Sequence, residues 1–144
     1  MLAVVGLIVG VLTFAPGDPG LDYAVTPTSP ELRALGSRLA HDLRAAGTPA
    51  RYVAVTCSDA ACARQVGEAR HLSRVVFSSA TRHMAMIWTA NASVVDVATG
   101  KISGPYDIGY KGDYDAICVG LDELATAMRP ALVDGTHAAR QHLK

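Results

Sequence analysis

The chain has no surplus of charge of either sign: 13 basic and 13 acidic residues cancel to a net charge of zero. Its basic residues are scattered, and the densest grouping is Arg70-His71 with Arg74 close by. Gripping a phosphate backbone or an anionic membrane surface takes a concentrated positive field, so no nucleic-acid partner is expected. There is also no apolar run long enough to cross a bilayer. The longest, Leu2–Ala15, falls short of the roughly 20 residues a spanning helix needs. Cysteine is scarce, with Cys57, Cys62 and Cys118 the only three.

Catalytic signatures are missing too. No G-x-S-x-G elbow, phosphate-binding P-loop or glycine-rich dinucleotide fingerprint occurs, and Gly6 and Gly10 do not make one. The histidines His41, His71, His83, His137 and His142 form no H-E-x-x-H pair, and His137 and His142, five apart, fall on different helical faces. Asp107, Asp113 and Asp115 surround a glycine-containing turn but lack the D-x-D-x-D-G spacing of a calcium loop, and Lys111 sits among them. No cofactor and no metal are expected, and the chain is read as a non-enzyme.

What is present is a globular composition. The chain has 144 residues, half of them hydrophobic and 18% charged, which suits one domain with a sizeable core. Leu2–Ala15 has the length of a signal-peptide core, yet no Lys or Arg precedes it. The favoured reading is a buried strand over Ile8–Phe14, stopped by Pro16-Gly17, with Met1–Leu7 an export-signal remnant or a misplaced start and 8–144 a single domain.

A proline- and glycine-rich loop follows to Pro30, and Ser29-Pro30-Glu31 opens a helix with the stripe Leu32, Leu35, Leu39 and Leu43, closed by Gly47. Tyr52–Val55 reads as a strand. Ser58-Asp59 caps a second helix running to about Leu72, with Cys62, Val66 and Ala69 on one face. A strand Arg74–Ala80, a tight connection at Thr81-Arg82-His83 and a long strand Met84–Val97 come next. On that long strand Met84, Met86, Trp88 and Ala90 share a face, read as core. After a turn at Ala98–Lys101, Ile102, Tyr106, Ile108 and Tyr110 alternate with polar residues, and Pro105 marks an edge or a bulge. The loop Lys111–Asp115 enters a third helix with stripe Ile117, Leu121, Leu124 and Met128, broken by Pro130, and a polar helix follows Thr136. The whole reads as α+β, an α/β two-layer arrangement: a mixed sheet of about five strands with an antiparallel meander and three to four helices.

Several strings carry a resemblance. GVLTF at Gly10–Phe14, LGSRLAHDLRAAG at Leu35–Gly47, the pair Cys57 and Cys62, VVDVATGK at Val94–Lys101 and YKGDYD at Tyr110–Asp115 are similar to a family of uncharacterised small exported bacterial proteins. Their domain resembles the amino-terminal domain of TolB and the curli-secretion lipoprotein fold. The resemblance covers about nine-tenths of the chain. It implies that fold and a periplasmic or secreted location, and no reaction. The chain departs from the pattern at Ile117-Cys118, where an aromatic or basic residue is expected.

Cys57 and Cys62 flank a strand-to-helix junction with four residues between them, where a redox-active pair normally has two. In an exported chain the main expectation is a structural disulfide; a thiol-disulfide redox site and two free buried thiols are the alternatives. Cys118 is left over, expected free and buried on or beside the third helix. A binding role is expected on loops held by the sheet. Pro16–Pro30 is one such loop. The other offers Tyr106, Asp107, Tyr110, Lys111, Asp113 and Tyr114 to a partner, expected to be another envelope protein. The competing reading is that the tyrosines cover the core edge and Asp113 caps the third helix.

Overall fold

The computed structural model describes residues 7–16, 30–83 and 87–132. In chain order they form β1 (Val9–Thr13), β2 (Ala15–Pro16), α1 (Pro30–Ala45), β3 (Ala50–Thr56), α2 (Ala60–Ala69), β4 (Arg74–His83), β5 (Ile87–Asp96), β6 (Ile102–Lys111) and α3 (Tyr114–Leu132). The fold is α+β. Its mixed sheet has the order β3-β1-β4-β5-β6, with the short β2 beside β4. β1 lies parallel to both β3 and β4, while β4, β5 and β6 form the antiparallel meander. The Pro16–Pro30 loop between its two end prolines (residues 17–29), Met84, Met86, the helix after Thr136 and the Met1–Leu7 segment except Leu7 lie outside the described residues.

The hydrophobic pattern explains the layering. β1 is an interior strand, between β3 and β4, and Val9, Val11 and Leu12 are fully buried, as an uninterrupted apolar strand demands. Val9 and Val11 face α1 and α3, whose stripes of Leu32, Leu35, Leu39 and Leu43 and of Ile117, Leu121, Leu124 and Met128 close the larger core. Each such side chain contributes about 1.5–3 kcal/mol when fully buried. Leu12 points the other way, into a smaller core with Val53, Val75, Val95 and Val97 beneath α2. Along β4 the alternation sends Val76 to the first core and Val75 to the second.

Local chemistry sets the helix ends. Gly47 has φ +91°; its N–H donates to the Arg44 carbonyl and the Thr48 N–H to that of Leu43, so the carbonyls left over at the end of α1 are satisfied. Asp59 caps α2 by accepting the Cys62 N–H at 2.7 Å. His71, with φ 55°, ends α2 in the same way, the Leu72 N–H reaching the Gly67 carbonyl.

Four local expectations are corrected. Thr81-Arg82-His83 is not a turn: all three pair with β5, opposite Thr89, Trp88 and Ile87. The β-branched Thr81 and the packing of Arg82 over the Trp88 ring favour an extended chain there. Pro130 does not break α3, which continues to Leu132. A proline costs about 3 kcal/mol inside a helix, but this one is two residues from the end and Leu132 beyond it is fully buried. In α2 the buried positions are Ala63 and Gly67, and Ala69 is exposed. Ile102 leaves the alternation of β6: the register shifts between Ala92 and Val94, so Ile102 sits opposite Val95 and is 51% exposed.

Gly67 marks the closest approach of α2 to the sheet, where an added Cβ would collide with Val97 and Val75. Gly67→Val should therefore destabilise the domain by about 1–3 kcal/mol through overpacking. Ala69→Val, on the exposed side, should stay within about 0.5 kcal/mol of the parent. Urea unfolding of both variants checks the placement; equal losses would contradict it.

Candidate functional site

β6 is antiparallel to β5 and β5 to β4, so β6 points the same way as β1, β3 and β4. The carboxyl ends of these strands and the amino ends of all three helices therefore gather at one end of the sheet. In open α/β sheets a ligand crevice forms at that end, where connections diverge from a central strand. Here a short strand lies at that end. β1 continues into β2, which pairs with Ser79 and Ala80; Phe14 between the two strands and Ala15 of β2 are 0% and 4% exposed.

The cysteine pair lies at the same end. Cys57 follows β3 and is buried, Cys62 lies in the first turn of α2, and the two are disulfide-bonded with Cα atoms 5.6 Å apart. Closing so short a loop contributes about 2 kcal/mol. The residue that caps α2 between them is a carboxylate, Asp59, with its oxygen on the Cys62 amide. A negative charge there opposes the thiolate that a redox-active pair needs. Cys118 is free and buried in α3. Burial pushes its thiol up, and a hydrogen bond from Tyr114 offsets part of that.

The six residues expected to meet a partner do not share one surface. Tyr106 and Tyr110 of β6 turn toward α3 and, with Tyr114 at its first position, pack half-buried against the larger core. The Tyr110 hydroxyl donates to Glu123 Oε1 at 2.9 Å, and Tyr114 stands edge-on to Trp88 at 6.5 Å. Asp113 caps α3, its Oδ1 accepting the Ala116 N–H at 3.2 Å. Asp107 and Lys111 point to the opposite side of β6 and are exposed.

That opposite side carries no helix over β6 and the facing half of β5, where Ile87, Thr89, Asn91, Asp107, Gly109 and Lys111 are exposed and Ser79 and Thr81 of β4 half-buried. The register stacks it in three rows: Ser79, Asn91 and Asp107; Thr81, Thr89 and Gly109; and, completing the β5–β6 ribbon, Ile87 beside Lys111. Ser79 Oγ donates to Asn91 Oδ1 at 3.0 Å, and Ile87 is 40% exposed. The bareness has a simple origin. α2 has 10 residues and so is about 15 Å long, whereas the 10-residue β4 and β5 extend about 33 Å. Among the described residues no group of three or more His, Cys, Asp or Glu is placed to hold a metal ion, and no helix is long and apolar enough to cross a membrane.

Sequence reasoning missed a buried carboxyl. Asp42 is 5% exposed on α1, where Oδ1 takes Arg38 Nε at 2.9 Å and His41 Nδ1 at 3.4 Å, and Oδ2 has no partner. The signal was there: Asp42 is three residues past Leu39 and seven past Leu35, on the apolar stripe. Burial raises its pKa above the ordinary carboxylate value, outweighing the two hydrogen bonds that lower it. Nearby Asp122 pushes in the same direction as burial. Trp88 carries a second orphan, its indole N–H being buried without a partner among the described residues.

Two tests follow. The native protein should show no rapidly alkylated thiol; unfolding without reductant should expose one, Cys118, and reduction three in all. Thiol counting by mass spectrometry checks this, and a bridge involving Cys118 would contradict it. For Asp42 the folded state holds its proton to higher pH than the unfolded chain does. Its contribution to stability therefore falls as pH rises from about 4 through the raised value. Asp42→Asn should remove that fall, so that the variant gains on the parent as pH is raised from 4 to 7 in thermal melts. A gain on lowering the pH would have the wrong sign.

No family model matches the chain, and no curated protein does. Its fold is similar to that of PelC from Paraburkholderia phytofirmans, solved as a dodecamer: 16% identity, 90% of each chain covered, TM-score 0.58. That structure is of a leucine-to-methionine variant; the PelC dodecamer without the substitution, in another crystal form, gives 17% identity over 85% of this chain and 81% of the other, TM-score 0.54. A Xanthomonas campestris protein of the DUF330 family aligns over 93% of this chain and 87% of its own, at 10% identity and TM-score 0.50. The likeness is one of fold.

Proposed function

We propose that the chain is a non-catalytic accessory or binding module of the bacterial cell envelope, periplasmic or secreted, that holds another envelope protein. The observation that carries the reading is the bare side of the β5–β6 ribbon, with Ile87, Thr89, Asn91, Asp107 and Lys111 exposed on rigid strands. An exposed aliphatic flanked by hydrogen-bonding groups and both charge signs is the composition that partner surfaces use. The disulfide supports an oxidising compartment. PelC, a protein of the same fold, is built into a dodecamer, which supports a domain that works by assembly.

The thiol-disulfide alternative has less behind it. Cys57 is 2% exposed, and Asp59 rather than a cation stands beside Cys62. The deciding experiment is affinity capture from envelope extracts with the parent and Ile87→Asp, alongside an insulin-reduction assay. The substitution should abolish capture of specific partners and leave Tm nearly unchanged, because Ile87 is 40% exposed, and insulin should not be turned over. Efficient insulin reduction, or capture indifferent to Ile87→Asp, would overturn the reading.

A further inference from the structure

β6 is the last strand of the sheet, and among the described residues nothing pairs with its outer edge. Unpaired edges are commonly protected by charges and prolines, and β6 has Pro105, Asp107 and Lys111. The charges here, however, are of opposite sign and evenly placed about Gly109, two residues to either side. All three positions share the bare face, and neither Asp107 nor Lys111 has a side-chain ion pair or hydrogen bond among the described residues.

Among the described residues nothing within the monomer calls for a glycine at position 109. Its backbone is not in the left-handed region, and an added Cβ would meet only the Trp88 carbonyl oxygen, at 3.9 Å. A glycine in mid-strand weakens the strand and often marks the close approach of another backbone.

We propose that the β6 edge is a two-fold interface with a second copy of this chain, antiparallel and centred on Gly109. A two-fold contact is self-complementary: if residue i meets j, then j meets i. Centring on Gly109 sets Asp107 opposite the second copy's Lys111, and Lys111 opposite its Asp107, giving two opposite-charge cross-strand pairs on the bare face. On the other face Ile108 comes to lie opposite Tyr110 twice, so these half-exposed apolar side chains become covered. Pro105, which cannot donate a ladder hydrogen bond, falls beyond the paired stretch 107–111. The register is specified by charge: a one- or two-residue slip separates both pairs.

This inference rests on reading β6 as a recognition surface and names its first partner. The experiment is sedimentation equilibrium of the oxidised protein from low micromolar to submillimolar concentration. The parent should pass from monomer to dimer. Asp107→Lys and Lys111→Asp, each singly, should put like charges opposite each other and raise the dissociation constant about tenfold or more. The double exchange, Asp107→Lys with Lys111→Asp, should restore dimerisation, because it re-creates the same pairs with signs reversed. Gly109→Arg, a position where the monomer has room, should abolish the dimer while leaving Tm close to the parent's. A monomer at every concentration overturns the inference. So does an assembly of any size whose affinity the single and double exchanges leave unchanged. A monomer that still captures an envelope protein in a manner sensitive to Ile87→Asp refutes only the self-pairing. A dimer that captures nothing refutes only the envelope-partner reading.

Discussion

Everything in this fold depends on β1 being buried on both faces. A strand whose alternate residues both need cover forces helices to opposite sides of the sheet, and the chain supplies them through the connections β1-α1-β3 and β3-α2-β4. Val9 and Val11 are sealed by α1 and α3, and Leu12 by α2. The disulfide strengthens the second arrangement where it is thinnest, tying the first turn of α2 to the end of β3.

The two sides are unequal. α1 and α3, at 16 and 19 residues, are about 24 and 28 Å long and can cover the strands nearly end to end. The 10-residue α2 cannot. Its closest contact, Gly67 against Val75 and Val97, lies where β4 begins and β5 has just ended. The remaining lengths of β4, β5 and β6 are left with Ser, Thr, Asn and charged residues that tolerate water, together with the exposed Ile87. This division separates what the protein needs for stability from what it can offer to another molecule.

Much of this was legible in the chain. Leucines at helical spacing gave the buried faces of α1 and α3, and Asp59, Asp113 and Gly47 gave helix ends, because such signals act within a turn or two. The pairing of Cys57 with Cys62 was within reach because both ends belong to one short junction. The errors came where tertiary contacts outweigh local ones. Thr81–His83 looked like a connection but is held extended by a full ladder to β5. Pro130 looked like a stop, but burial of Leu132 draws the helix past it. The six-residue partner surface was grouped by nearness in sequence. A strand sends alternate residues to opposite faces, so Tyr106 and Tyr110 went to the core side while Asp107 and Lys111 went to the bare one.

The central claim is that a doubly covered spine at β1 carries the stability while β6 is an open edge. Native-state hydrogen exchange of dilute protein, read residue by residue, tests it most directly. The account predicts that the amides of β1 and of its partners in β3 and β4 exchange slowest, near the rate of global unfolding. It predicts that outward-facing amides of β6 between Asp107 and Lys111 exchange faster by orders of magnitude. Protection spread evenly across β1 and β6, or greater in β6, would contradict it.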